Sequence, residues 1–297
     1  DGPKGTLNVG LTRELYIFQC QINNLMDVVK EAGVWIPLFI MTSDKNDSAT
    51  RAFFEEKNYF GYDKDHIWFF VQEMAPATDL NGKVLLEAKD HIALSPNGNG
   101  GWYKSLRNAG YEKTLEELGV EWINIYAVDN VLQRMADPVF LGAAAEAGFE
   151  SGAKVIKKAY PEEKVGVLCY RNGHPSIIEY MDLSDDMMYQ KDAQGDLAYS
   201  SGVILNYLFR TDALKRIADK NLPLHMAKKK VPYIDDQGNY IKPEEINGIK
   251  YENLVLDMIE MMDGCLAFEV DRAKEFAPIK NMHGIDSLDS AREMLQA

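Results

Sequence analysis

Seven apolar runs of strand length recur along the chain, each bounded by polar residues or glycine: Val34 to Met41, His66 to Val71, Trp122 to Val128, Ala153 to Ile156, Val165 to Cys169, Val203 to Phe209 and Leu266 to Val270. Unbroken apolar stretches this short suit strands covered on both faces. Amphipathic helical patterns lie between several of them, at Phe18 to Ala32, at Ser48 to Lys57, and in a segment closing at Leu115 to Leu118 that Gly119 terminates. The alternation predicts an α/β fold whose mixed, mostly parallel sheet is flanked by helices. Two Asn-Gly pairs, Asn81-Gly82 and Asn172-Gly173, predict antiparallel hairpin attachments. The tract Pro232 to Ile249 is expected to make a long surface excursion and to return into a helix over Glu252 to Met262.

The chain of 297 residues could form one large α/β domain or two smaller ones. Thirty-two Lys and Arg against 46 Asp and Glu leave a net charge of −14, which repels a phosphate backbone and an anionic membrane surface. Neither nucleic acid nor membrane is therefore an expected partner. Cys20, Cys169 and Cys265 are far apart and form no CxxC pair, so the composition suits a reducing, cytoplasmic compartment without a zinc site or a disulfide framework. No apolar run reaches the ~18 residues of a membrane span.

Three features carry candidate chemistry. The stretch SPNGNGGWYKSL, residues 95–106, strips the backbone bare before a helix begins, which suits either a tight turn or the close approach of a ligand. It is not a GxGxxG motif, because Tyr103 stands where the third glycine belongs. In WINIYAVDN the buried-strand pattern stops at Asp129, where the carboxylate either caps the next turn or is placed to hold a divalent metal such as Mg2+. Lys4 in GPKG, Lys250 in NGIKYE and Lys280 in FAPIKN each sit beside small or rigid residues, and three fixed ammonium groups could offset a triphosphate.

Taken in order, PKG at 3–5, FIMTS at 39–43, PNGNGG at 96–101, VDN at 128–130, EY at 179–180, KKVPYID at 229–235, NGIKYE at 247–252 and FAPIKN at 276–281 resemble the UDP-N-acetylglucosamine pyrophosphorylases over nearly the whole chain. The resemblance implies a nucleotidyltransferase fold of the GT-A or Rossmann-like kind, with residues 1–297 as a single catalytic domain. It implies that the family's N-terminal glycine-rich loop and C-terminal portion lie outside these residues. It further implies uridylyl transfer: UTP and a sugar 1-phosphate give a UDP-sugar and pyrophosphate, with N-acetylglucosamine 1-phosphate as the expected sugar and glucose or galactose 1-phosphate as alternatives. A metal-dependent glycosyltransferase and a non-catalytic UDP-sugar binding module are the competing readings.

By the same resemblance Gln72 would read the uracil edge and Gly98 would contact the nucleotide. Asn99, Glu179 and Tyr180 would hold the sugar. Asp129 would serve Mg2+ and the phosphates, while Lys4, Lys250 and Lys280 would hold phosphates, Lys280 on the sugar side. Val203 stands where eukaryotic members of the family carry an Asn that binds the sugar, a departure expected to relax sugar specificity. The five histidines fall outside these positions and are expected to be structural.

Overall fold

Each of the seven apolar runs contributes a strand to the computed structural model, which describes residues 2–296. Five strands form the main sheet in the order His174–Ile178, Val167–Arg171, Ser201–Arg210, Ser151–Lys157, Cys265–Glu269, and Trp122–Tyr126 pairs with the second half of Ser201–Arg210. Leu38–Thr42 and Ile67–Val71 pair parallel across the helix Asp47–Glu56.

The expectation of a mostly parallel sheet is wrong. Apart from an isolated parallel bridge between Asn281 and Ser287, the only other parallel strand pair among the described residues is Ser151–Lys157 with Cys265–Glu269, and the remaining ladders are antiparallel. The cause is one strand. Trp122–Tyr126, the helix Pro138–Glu146 and Ser151–Lys157 look in sequence like a βαβ unit, but Ser201–Arg210 is wedged between the two strands and runs antiparallel to both. The crossover therefore spans a gap that a later segment fills, and adjacency in sequence is not adjacency in the sheet.

Local chemistry explains the other elements. The helix Ile17–Ala32 buries Ile17, Cys20, Gln21, Leu25, Val28 and Val29, a stripe at three- and four-residue spacing. Gly33 ends it at φ 71°, donating its N–H to the Val29 carbonyl. Asn172 and Gly173 both take positive φ, 53° and 82°, as the tight hairpin turn requires. The excursion after Pro232 folds into a small hairpin, Tyr233–Ile234 with Tyr240–Ile241. It returns first into the strand Gly248–Glu252, and the helix that follows is shorter than predicted, Leu256–Glu260.

Beneath the sheet lies a buried polar frame. Lys154, with no exposed surface, donates to the Arg134 carbonyl at 3.0 Å, to Asp137 Oδ2 at 2.9 Å and to Glu275 Oε2 at 2.6 Å. Asn206, equally buried, donates to Gln133 Oε1 at 3.4 Å and accepts from Asn124 Nδ2 at 2.8 Å. Buried polar groups persist when every member is paired, and removing one member strands the rest. Lys154→Met is accordingly expected to lower unfolding stability by about 3 kcal/mol or more, because it leaves two acidic partners short of a cation. Urea denaturation of both proteins checks it, and a loss under about 1 kcal/mol would contradict the assignment.

Candidate active site

The turn that follows Trp122–Tyr126 is held from three sides. Gln21, from the first helix, donates to the carbonyl of Val128 at 2.9 Å and to that of Ala127 at 3.2 Å, and Gln133 donates to Ala127 at 2.5 Å. Asn130 is the hinge pin. It donates to the Glu275 carbonyl at 2.7 Å and accepts from the Ala277 N–H at 2.9 Å, while Ile279 N–H donates to the Asp129 carbonyl at 2.9 Å. These bonds bring VDN and FAPIKN together although they are far apart in the chain. Asp129 and Lys280 thereby come to line one cavity of about 210 Å3.

That cavity collects five of the expected residues: Asn99, Asp129, Glu179, Val203 and Lys280. Lys4 stands at its edge, Nζ 3.9 Å from Asp129 Oδ2. Its turn is fixed by close packing, since a Cβ on the neighbouring Gly5 would stand 2.3 Å from the Phe18 ring. Lys280 is steadied by Asp286 at 3.0 Å. Three lining residues carried no signal in the sequence. Lys164 is an exposed lysine in the run PEEK, and Leu205 and Tyr207 belong to a strand whose register shifts between Val203 and Tyr207. Leu205 takes φ 52°, unusual for a leucine, and its carbonyl accepts from Ala127 N–H at 3.2 Å. The bulge thus turns backbone as well as side chains toward the cavity.

The bare loop has a clear structural partner. Gly98 adopts φ 86°, and a Cβ there would stand 2.2 Å from the Asn253 carbonyl oxygen; at Gly100 it would stand 2.7 Å from Leu254 backbone. Gly100 N–H donates to Asn253 at 2.8 Å, Asn253 N–H donates to Asn97 at 2.6 Å, and Val255 N–H donates to Asn99 Oδ1 at 2.9 Å. The glycines are bare so that two stretches of backbone can lie against each other. Asn99, fixed through its Oδ1, lines the cavity.

Four expected residues do not line this cavity. Gln72 sits at the end of its strand with its N–H bound to the Thr42 carbonyl at 2.9 Å. Gly98 is packed on Asn253, and Tyr180, half-buried next to Glu179 in the chain, is not among the lining residues. Lys250 faces a separate cavity.

Glu179 is the electrostatic feature of the site. Burial, followed by the nearby Asp182, raises its pKa above the ordinary glutamate value, Asp257 adds to the rise, and His225 and Lys280 oppose it. His225 Nε2 lies 2.8 Å from Asp257 Oδ2. Among the described residues no group of three His, Cys, Asp or Glu side chains is arranged to hold a metal ion. A lone Asp129 fits an ion that takes its remaining ligands from substrate phosphates and water, as Mg2+ commonly does.

The sequence profile of the family described as UTP–glucose-1-phosphate uridylyltransferase matches residues 1–292. The human UDP-N-acetylhexosamine pyrophosphorylase-like protein 1 is 40% identical, covering 99% of this chain and 60% of the relative. The UDP-N-acetylglucosamine pyrophosphorylase of Saccharomyces cerevisiae is 41% identical over 95% of this chain and 61% of its own length. This chain therefore spans about three fifths of the curated relatives it matches. The crystal structure of a UDP-N-acetylglucosamine pyrophosphorylase described as putative, from Entamoeba histolytica, superposes with a TM-score of 0.91 at 32% identity, covering 99% of this chain and 76% of that one.

The raised pKa of Glu179 has a measurable sign. An acid whose folded pKa exceeds its unfolded value keeps its proton longer in the native state, so its contribution to stability falls as pH rises through that window. Glu179→Gln removes this penalty. The variant is expected to gain melting temperature relative to wild type at pH 8 and to lose that gain near pH 4, below the ordinary glutamate range. An equal difference at both pH values would mean that ionisation of Glu179 is not penalised by its surroundings.

Proposed function

The chain belongs to the UTP–glucose-1-phosphate uridylyltransferase family, and on that premise we propose that it carries the active site of an enzyme that makes a UDP-sugar and pyrophosphate from UTP and a sugar 1-phosphate. The observation that carries the reading is the convergence of Asp129, Lys280, Asn99 and Glu179 on one cavity, with the Lys4 ammonium 3.9 Å from Asp129. N-acetylglucosamine 1-phosphate is the proposed sugar. This agrees with the names of the relatives at about 40% identity.

In this reading the sugar-phosphate oxygen attacks the α-phosphorus of UTP. One P–O bond forms as the bond to the β-phosphate oxygen breaks, and the electron pair leaves with pyrophosphate. The reaction needs positioning and cations more than a covalent nucleophile. Lys280 holds the sugar phosphate, and Lys4 stands beside Asp129 on the nucleotide side. Asp129 is the proposed Mg2+ ligand, and the ion when bound neutralises phosphate charge. Asn99 offers its amide N–H to sugar oxygens. Glu179, whose carboxyl group makes no hydrogen bond among the described residues, offers that group to sugar hydroxyls, with Tyr180 beside it. Gln72 and Gly98, at the ends of adjacent strand and loop, are proposed to meet the uracil. Lys250 serves a phosphate away from the sugar cavity. Work in the cytoplasm suits three cysteines that stand apart as free thiols.

Two outcomes test the reading. Asp129→Ala should fold and lose pyrophosphate release by about a hundredfold or more, and a loss under about tenfold would sink the assignment. Val203→Asn should raise the preference for N-acetylglucosamine over glucose 1-phosphate, read as kcat/KM, by about one to two orders of magnitude. Asn206 cannot take this role, because its amide is committed to Gln133, Arg134 and Asn124 in the buried frame. Unchanged selectivity in Val203→Asn would remove Val203 from the sugar site.

A further inference from the structure

The helix Leu256–Glu260 is a short bridge beside the candidate site, and a side chain near each of its ends is tied down. At the far end Glu260 accepts from the buried Ser176 hydroxyl, on the strand His174–Ile178, whose next residue is Glu179. At the near end the buried Asp257 meets His225 Nε2 at 2.8 Å through Oδ2. That is the one hydrogen bond of the Asp257 carboxyl group to a side chain among the described residues. Burial raises the pKa of Asp257, His225 opposes the rise, and the nearby Glu260, itself an acid, adds to it. A buried carboxylate that loses such a partner is left stranded.

His225 comes from a different part of the fold. It opens the strand His225–Lys229, at the edge of a three-stranded sheet, and stands opposite Glu252 in the register with Gly248–Glu252. The backbone just before it is fastened as well, since the Leu222 and Pro223 carbonyls accept from Asn253 Nδ2 at 3.2 and 2.7 Å. Residues 253–257 are therefore gripped from two directions. The glycine loop holds them through Asn99 Oδ1, which accepts from the Val255 N–H at 2.9 Å, and the segment 222–225 holds them through Asn253 and Asp257. Between the two grips lie Leu254, Val255 and Leu256, which line the cavity together with Asn99 and Glu179. His225 is also near enough to Glu179 to oppose the rise in that acid's pKa.

We infer that His225 is a positioning residue: through Asp257 it holds the Leu254–Leu256 wall in place against Asn99 and Glu179, so that the wall and these two side chains meet a bound sugar together. The sugar half of this inference rests on the uridylyl-transfer reading, and the pinning of the wall does not. His225 is not among the residues that line the cavity, so its effect on a ligand passes through Asp257.

The test combines amide hydrogen exchange with steady-state kinetics on the wild type, His225→Ala and His225→Gln. The His225 side chain is 38% exposed, so its truncation opens no closed core and both variants should fold. Exchange at Val255 and Asp257, whose N–H groups donate to Asn99 Oδ1 and to the Leu254 carbonyl, should quicken by about tenfold in His225→Ala. Amides of the distant strand Ser201–Arg210 should keep their wild-type rates. In His225→Gln a side-chain amide can still donate to Asp257, and protection should return to within about threefold of wild type. KM for N-acetylglucosamine 1-phosphate should rise about tenfold in His225→Ala and recover in His225→Gln, with kcat and KM for UTP within about threefold of wild type, because a loosened wall weakens ground state and transition state alike. Wild-type exchange at Val255 and Asp257 in His225→Ala overturns the inference. So does a fall in kcat with the sugar-phosphate KM unchanged, the mark of a general loss of folded enzyme, and so does a Gln variant no better than Ala. Should the wild type release no pyrophosphate with any sugar 1-phosphate, uridylyl transfer falls, and the exchange rates alone decide whether His225 pins the wall.

Discussion

One buried ammonium holds the geometry of the candidate site together. Lys154 rises from the Ser151–Lys157 strand into a space with no solvent and meets Asp137, Glu275 and the Arg134 carbonyl. Asp137 caps the helix Pro138–Glu146, and Glu275 accepts the Arg134 N–H through the same oxygen that binds Lys154. Glu275 also lends its carbonyl to Asn130. A cation so deeply buried is tolerated only with this full set of partners, and the requirement draws three distant segments to one point. Asp129 and Lys280, each next to or near a member of that set, inherit their separation from it.

The second constraint is backbone against backbone. The loop Asn97–Gly101 and the stretch Asn253–Val255 exchange main-chain bonds at a distance that no side chain could share, and Asn99 is fixed by the same contact. The cavity-lining Asn99 and the packing of the helix Leu256–Glu260 are thus set together. A substitution at Gly98 or Gly100 would shift the scaffold before it touched any ligand. For that reason, loss of function at those glycines would not separate a structural role from a binding one.

Much of this was legible in the sequence, and the parts that were not share a cause. The strands, the first helix and the Asn172-Gly173 turn follow from periodicity and turn chemistry, which are local. Asn99, Asp129, Glu179, Val203 and Lys280 were singled out because collinear short segments resemble a known family, and the fold brings those five to one cavity. Lys154 was missed because a lysine in SGAKVIK looks like a solvated strand residue, and one of its acid partners lies 121 residues away. The insertion of Ser201–Arg210 between two earlier strands, which made the sheet largely antiparallel, left no local trace either. The Leu205 bulge is likewise a property of the ladder and not of the residues around it. Ser95 looked like one small residue ahead of a glycine loop, and its buried hydroxyl has no partner among the described residues.

The cavity lined by Asp129 and Lys280 is the proposed seat of the UDP-sugar. The most direct measurement is a crystal structure of the protein soaked with UDP-N-acetylglucosamine. The account predicts density with the diphosphate between Asp129 and Lys280 and the sugar within hydrogen-bond reach, about 2.6–3.2 Å, of Asn99 and Glu179. Density for the ligand elsewhere, with the Asp129 cavity filled only by water, would contradict it.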